Sequence, residues 1–223
     1  MNSIMETVCN VCNAVRSNSK HGTSFPRLLT LLRREFKKRN FDIKIKSLRH
    51  KRLLNDEFYV NAYYDPTDDA NTETPIEIII HHNFTEGVGW DRRHITDFLI
   101  QIFDATVHEL KHQRQSLKRN HETYWSNSNI SCHEDYLADP DEIDAYSVSI
   151  AIELCRSLGK YRALKYMGRF NSLSRLKFRD TLVSPNLFVY VQTFGNIENP
   201  IIKHLAKKVY VRLQKVDTDV IFV

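Results

Sequence analysis

The stretch ITDFLIQIFDATVHELKH, residues 95–112, decides the architecture of this chain. Within it Ile95, Phe98, Leu99, Ile102, Phe103, Thr106 and Leu110 recur at intervals of three and four, the period of a helix that turns one face to a core. His108 and His112 stand at its end, four residues apart. Residues at that spacing lie one turn apart on the same helix face, so the pattern predicts two imidazoles aimed at a common point.

A metal ion suits such a pair, because zinc takes imidazole nitrogen at about 2.0–2.1 Å in tetrahedral sites. Glu109, beside the first histidine, stands where it can take a proton from a water while the metal lowers that water's pKa and polarises a carbonyl. Together these groups hydrolyse an amide. With 10 His in 223 residues, H-E-x-x-H arises by accident in roughly two chains in a hundred of this composition, so its place inside a patterned helix carries weight. The competing view makes both histidines ordinary surface groups of an amphipathic helix. A catalytic zinc also needs a third protein ligand, with the fourth position left to water. The extended form H-E-x-x-H-x-x-G-x-x-H is excluded, since Gln115 and Lys118 stand where it requires Gly and His. His121, His133, Glu134, Asp139, Asp141, Glu142 and Asp144 are the candidates downstream.

Working outward, Phe25, Leu28, Leu29, Leu32 and Phe36 predict an amphipathic helix from Ser24 to about Arg39, with Pro26 in its first turn. Phe41 to Lys46 alternates apolar and polar residues, while Glu57 to Tyr64 and Pro75 to His82 are rich in β-branched and aromatic residues. These predict three strands in a small antiparallel sheet, with a turn over Asp65 to Asn71. A polar segment from about Arg119 to Leu137 lacks a period and is long enough to cover a site. Asp139 as N-cap, Pro140 at the first helical position, Glu142 three residues after the cap and Gly159 past the end bracket a second helix. Asp139-x-x-Glu142 also fits a capping box, in which the glutamate returns to the cap amide. Patterns around Tyr161–Phe170, Phe188–Phe194 and Pro200–Lys215 predict a helical C-terminal region. The expected fold class is α+β. Residues 1–22 read as an N-terminal extension and 23–223 as a single domain, with its core at about 41–157 and a helical part over 158–223.

His108-Glu109-x-x-His112 followed by Asp139-Pro140-Asp141-Glu142-Ile143-Asp144-Ala145-Tyr146 resembles the gluzincin metallopeptidases, and most closely the compact bacterial and phage ImmA/IrrE-like peptidases with an E-x-x-A motif on the second ligand helix. The resemblance spans about residues 75–157. It implies a zincin-like fold with His108, His112 and Glu142 as ligands of one zinc ion, Glu109 as general base and Ala145 as the small residue packing beneath the motif helix. Tyr146 stands where that family usually has Asp or Asn, and Asp144 is the candidate substitute. By the same resemblance the strand from Glu77 to His82 is the substrate-binding edge strand, where a peptide adds through main-chain bonds. Alternation turns either His81 or His82, not both, into the cleft. A donor for the developing oxyanion is sought among Tyr124, His121, Tyr136 and His133. Protein or peptide is the implied substrate, in the cytoplasm of a bacterium or of a phage-infected host.

Composition sets the outer bounds. At 42% apolar residues the chain can bury a sizeable core, and its longest apolar runs, such as Ile78-Ile79-Ile80, fall far short of the ~18 residues of a membrane span. The N-terminus lacks an early Lys or Arg and an unbroken apolar run, so it does not read as a secretory signal. Cys9, Cys12, Cys132 and Cys155 then read as reduced thiols, with Cys9-x-x-Cys12 a weak half of a zinc knuckle. The net charge of +5 is concentrated in Arg33, Arg34, Lys37, Lys38 and Arg39, and again in Lys44, Lys46, Arg49, Lys51 and Arg52. That raises a second class of function, a basic nucleic-acid-binding protein in which H-E-x-x-H is incidental or structural.

Overall fold

A computed structural model describes residues 2–71, 75–84, 89–121, 132–170, 183–195 and 198–222. The chain divides into two compact units, one of residues 1–123 with 222–223 and one of residues 124–221. Both helices and strands are present, as the α+β class requires.

In the first unit the order is α1 (Asn2–Asn18), β1 (Thr23–Ser24), α2 (Phe25–Lys38), β2 (Ile43–Arg49), β3 (Phe58–Tyr64), α3 (Pro66–Ala70), β4 (Ile76–His82), β5 (Gly89–Trp90) and α4 (Arg92–Leu117). The segment set apart in sequence as an extension holds α1, which buries Met5, Val8, Val11, Cys12 and Val15 and packs on α2 and α4. Cys9 and Cys12 are thus buried thiols on a packed helix, and no disulfide joins any of the four cysteines. Pro26 lies in the first turn of α2, whose buried stripe runs through Leu28, Leu29, Leu32 and Phe36. Glu35 is buried on this helix too. Arg39 approaches its carboxylate at 2.6 Å and holds its pKa below the usual carboxylate range, against the opposing cost of burial.

The sheet departs from expectation. Its order is β2–β4–β3, with β4 antiparallel to β3 but parallel to β2, so it is mixed rather than antiparallel. The expected substrate-binding edge strand, β4, is the central one and is paired on both sides. Its run Ile76-Glu77-Ile78-Ile79-Ile80 is near-continuous in apolar residues, and all of it but Ile79 is buried. Ile76, Ile78 and Ile80 are buried, on the face where α4 packs against β3 and β4. His82 shares that face and stacks on Phe84, while His81 turns the other way and stacks on Tyr59, as alternation requires. The predicted turn over 65–71 contains α3, capped by the Asp65 carboxylate, which accepts from the amides of Thr67 and Asp68.

Two glycines join β1 to β5. Gly22, at φ +82°, donates its amide to Trp90 O at 2.9 Å, and a Cβ on Gly89 would fall 2.5 Å from Gly22 Cα and O. Neither position accommodates a side chain without strain. The contact seals a cluster in which Phe25, Phe58, Phe84, Trp90 and Phe98 meet with centroids as close as 4.5 Å.

The second unit comprises α5 (His133–Ala138), α6 (Pro140–Leu158), α7 (Lys160–Gly168), α8 (Pro185–Phe194), α9 (Pro200–Lys215) and a 3-10 turn at Thr218–Val220. The segment expected to be irregular through Leu137 therefore turns helical at His133, and Leu137 is buried. Asp139 caps α6 by accepting from the Asp141 amide at 2.6 Å, and Gly159, at φ +75°, ends it. α9 packs on α6 and α7. Among the described residues no helix is long and apolar enough to cross a membrane.

Candidate metal centre

α4 places the motif. Its 26 residues follow Asp91, whose side chain caps the helix by accepting from the His94 amide, and its buried stripe runs from Ile95 through Leu110 as the spacing predicts. His108 and His112 follow on the same helix, both half-buried, and their Nε2 atoms lie 3.1 Å apart. Two nitrogens at about 2.0–2.1 Å from one tetrahedral ion would be roughly 3.3–3.4 Å apart, so the pair is within a few tenths of an ångström of a chelating geometry. The spacing also suits a hydrogen bond between neutral rings, whose donor and acceptor depend on tautomer. Glu109 is 7% exposed on the same turn. A glutamate carboxylate so covered, one residue from a half-buried imidazole, is an unusual element for a surface helix and an ordinary one for a site.

In the second unit, Glu142 occupies the first turn of α6, where the helix dipole favours a carboxylate. The Asp139 amide, which a capping-box glutamate would serve, donates instead to Tyr136 O at 3.2 Å. What surrounds Glu142 in this unit is a set of tyrosines. Tyr136 hydrogen-bonds both the Glu142 carboxylate and Tyr146, and burial first, then the Glu142 charge, pushes its phenol pKa well up. Tyr146 sits one turn beyond Glu142 and meets the fully buried Tyr190 edge-on, with ring centroids 5.4 Å apart. The Tyr190 hydroxyl has no hydrogen-bond partner among the described residues.

The other candidates separate clearly. Asp144 takes Arg212 at 2.6 Å and Lys208 at 3.0 Å, both from α9. His121, at φ +65°, approaches Asp69 at 3.7 Å; Asp69 also accepts from Tyr64 and Gln113. His133 is exposed and stacks on Tyr136, and Glu134 is exposed beside it. Asp141 serves the Asp139 cap through its amide. Tyr124 lies outside the described residues. Tyr146 and Tyr190 were not singled out as functional from sequence, although the spacing of four between Glu142 and Tyr146 would have placed the latter over the carboxylate.

The fold and its motif helix define a class, an α+β chain that pairs two imidazoles and a buried carboxylate on one helical turn. Compared with family models, with curated proteins and with solved structures, the chain matches none of them.

Proposed function

We propose that this chain is a zinc-dependent peptidase in which His108, His112 and Glu142 hold one zinc ion and Glu109 is the general base. The 3.1 Å separation of the two Nε2 atoms, beside the buried Glu109, carries this reading. The donor set of two imidazoles and one carboxylate supports it further, being a catalytic zinc combination that leaves one position open.

Zinc, when bound, supplies Lewis acidity, lowering the pKa of water and polarising the carbonyl under attack. Glu109 takes the proton from the attacking water and passes it to the leaving amine. Burial of Glu109 keeps bulk water from competing for that proton. Tyr136, through its bond to Glu142, fixes the carboxylate's orientation.

Metal analysis of purified protein, with cleavage assayed on a peptide library, tests the reading. Glu109→Gln should retain stoichiometric zinc and lose at least ~100-fold in rate, the scale of a general base. Glu142→Gln should lose most of the metal. A folded sample that takes up no zinc would sink the proposal.

A further inference from the structure

The face of the sheet opposite the aromatic core is built unlike ordinary solvated surface. Three rows cross it, set by strand register: Tyr63–Glu77–Lys44, Asn61–Ile79–Lys46 and Tyr59–His81–Leu48. Side chains opposite one another in a register project to the same face, with neighbouring strands about 4.8 Å apart. Tyr59 is 37% exposed and Tyr63 47% exposed. They lie four residues apart on β3, which separates the two rings by roughly 13 Å along the strand.

The charges on this face are layered. Glu77 is 7% exposed and lies beneath Lys46, at 2.6 Å, and Lys44, at 3.6 Å, with Tyr63 also hydrogen-bonded to it. The two lysine side chains remain 45% and 57% exposed, so solvent meets ammonium groups while the balancing carboxylate is hidden. Beyond the end of β2, His50 packs edge-on against His81, and Lys51 and Arg52 are exposed. His81 stacks on Tyr59 at 4.5 Å and 11°, which holds that ring as a fixed platform.

We infer that this face binds single-stranded nucleic acid, with unstacked bases on Tyr59 and Tyr63 and backbone phosphates on the lysine side. Phosphate is the anion that a row of exposed ammonium groups complements, and exposed ring faces add sequence-tolerant base stacking. Paired bases in a duplex offer no free ring face to a sheet, so the single strand is the form that uses both features. α2 is a poorer candidate despite its five basic residues. Arg33 donates to Ile45 O, and Arg34 and Arg39 are engaged by Glu35. Among the described residues, no exposed aromatic lies on α2. The inference is independent of the zinc proposal.

Fluorescence anisotropy with labelled 20-mers of dT and of U, against a 20-bp duplex and heparin as competitor, tests it. Either single strand should bind more tightly than the duplex at equal salt, and the tighter of the two names the natural class. Tyr59→Ala with Tyr63→Ala should weaken binding about tenfold or more, while Tyr59→Phe with Tyr63→Phe, which keeps the rings, should restore it. Lys44→Gln should reduce the slope of log K against log salt by about 0.7, and Lys46 remains to pair Glu77 in that variant. Thermal unfolding matched to the parent establishes that each variant is folded. Equal affinity for duplex and single strand, equal affinity for heparin, or binding untouched by the paired Ala substitutions would overturn the inference.

Discussion

Tyr136 hydrogen-bonds Glu142, and in the proposed site such a bond would be a lever on metal affinity as well as on geometry. Tyr136→Phe removes only the donated bond and leaves the ring in place. Zinc affinity should then fall about 10- to 100-fold, read by competition with a chromophoric chelator. An unchanged affinity would make the bond incidental. At this scale the sequence was legible where spacing alone sets direction, as with His108 and His112 on one helical face. It was illegible where partners come from distant positions. Nothing in the local pattern of Asp144 shows that Lys208 and Arg212 take its carboxylate, and nothing around Tyr190 shows that it will meet Tyr146.

The helices followed from periodicity because each buries its own stripe, and their ends from caps that are local by nature. α2 and α6 begin and end within a residue or two of where Pro26, Asp139 and Gly159 place them. Strand order has no comparable local signal. The zincin resemblance makes β4 an edge because it precedes the motif helix, yet β4 pairs with β2 on one side and with β3 on the other. Peptide addition through main-chain bonds is therefore closed to β4, and β2 and β3 are the outer strands of this sheet. The glycine contact between β1 and β5 is equally hidden in sequence, since its close approach joins backbones far apart along the chain. Gly89→Ala would drive a methyl into the Gly22 backbone and should destabilise the protein by about 1–3 kcal/mol, measured by urea unfolding. A variant as stable as the parent would show that the Gly22 turn yields without cost.

Over the whole molecule, a bound ion that the unfolded chain holds weakly must raise stability by mass action. Free zinc at 100 times its Kd should add roughly 2.7 kcal/mol. That corresponds to about 5–10 °C in Tm for a protein of this size. EDTA should reverse the gain, and scanning calorimetry with and without chelator checks both. A Tm indifferent to both would count against a resident metal. The α+β class was legible from alternating helix and strand periods, whereas the resemblance to zincins rests on one short motif and the residues that follow it. The join of Gly22 to Gly89 also bears on the order of events in folding. It closes a long loop that encloses the whole three-stranded sheet, and the entropy of that closure is recovered only once the intervening strands are in place. The latch should therefore close late in folding. Strain introduced at Gly89 will quicken unfolding and leave the rate of folding nearly untouched.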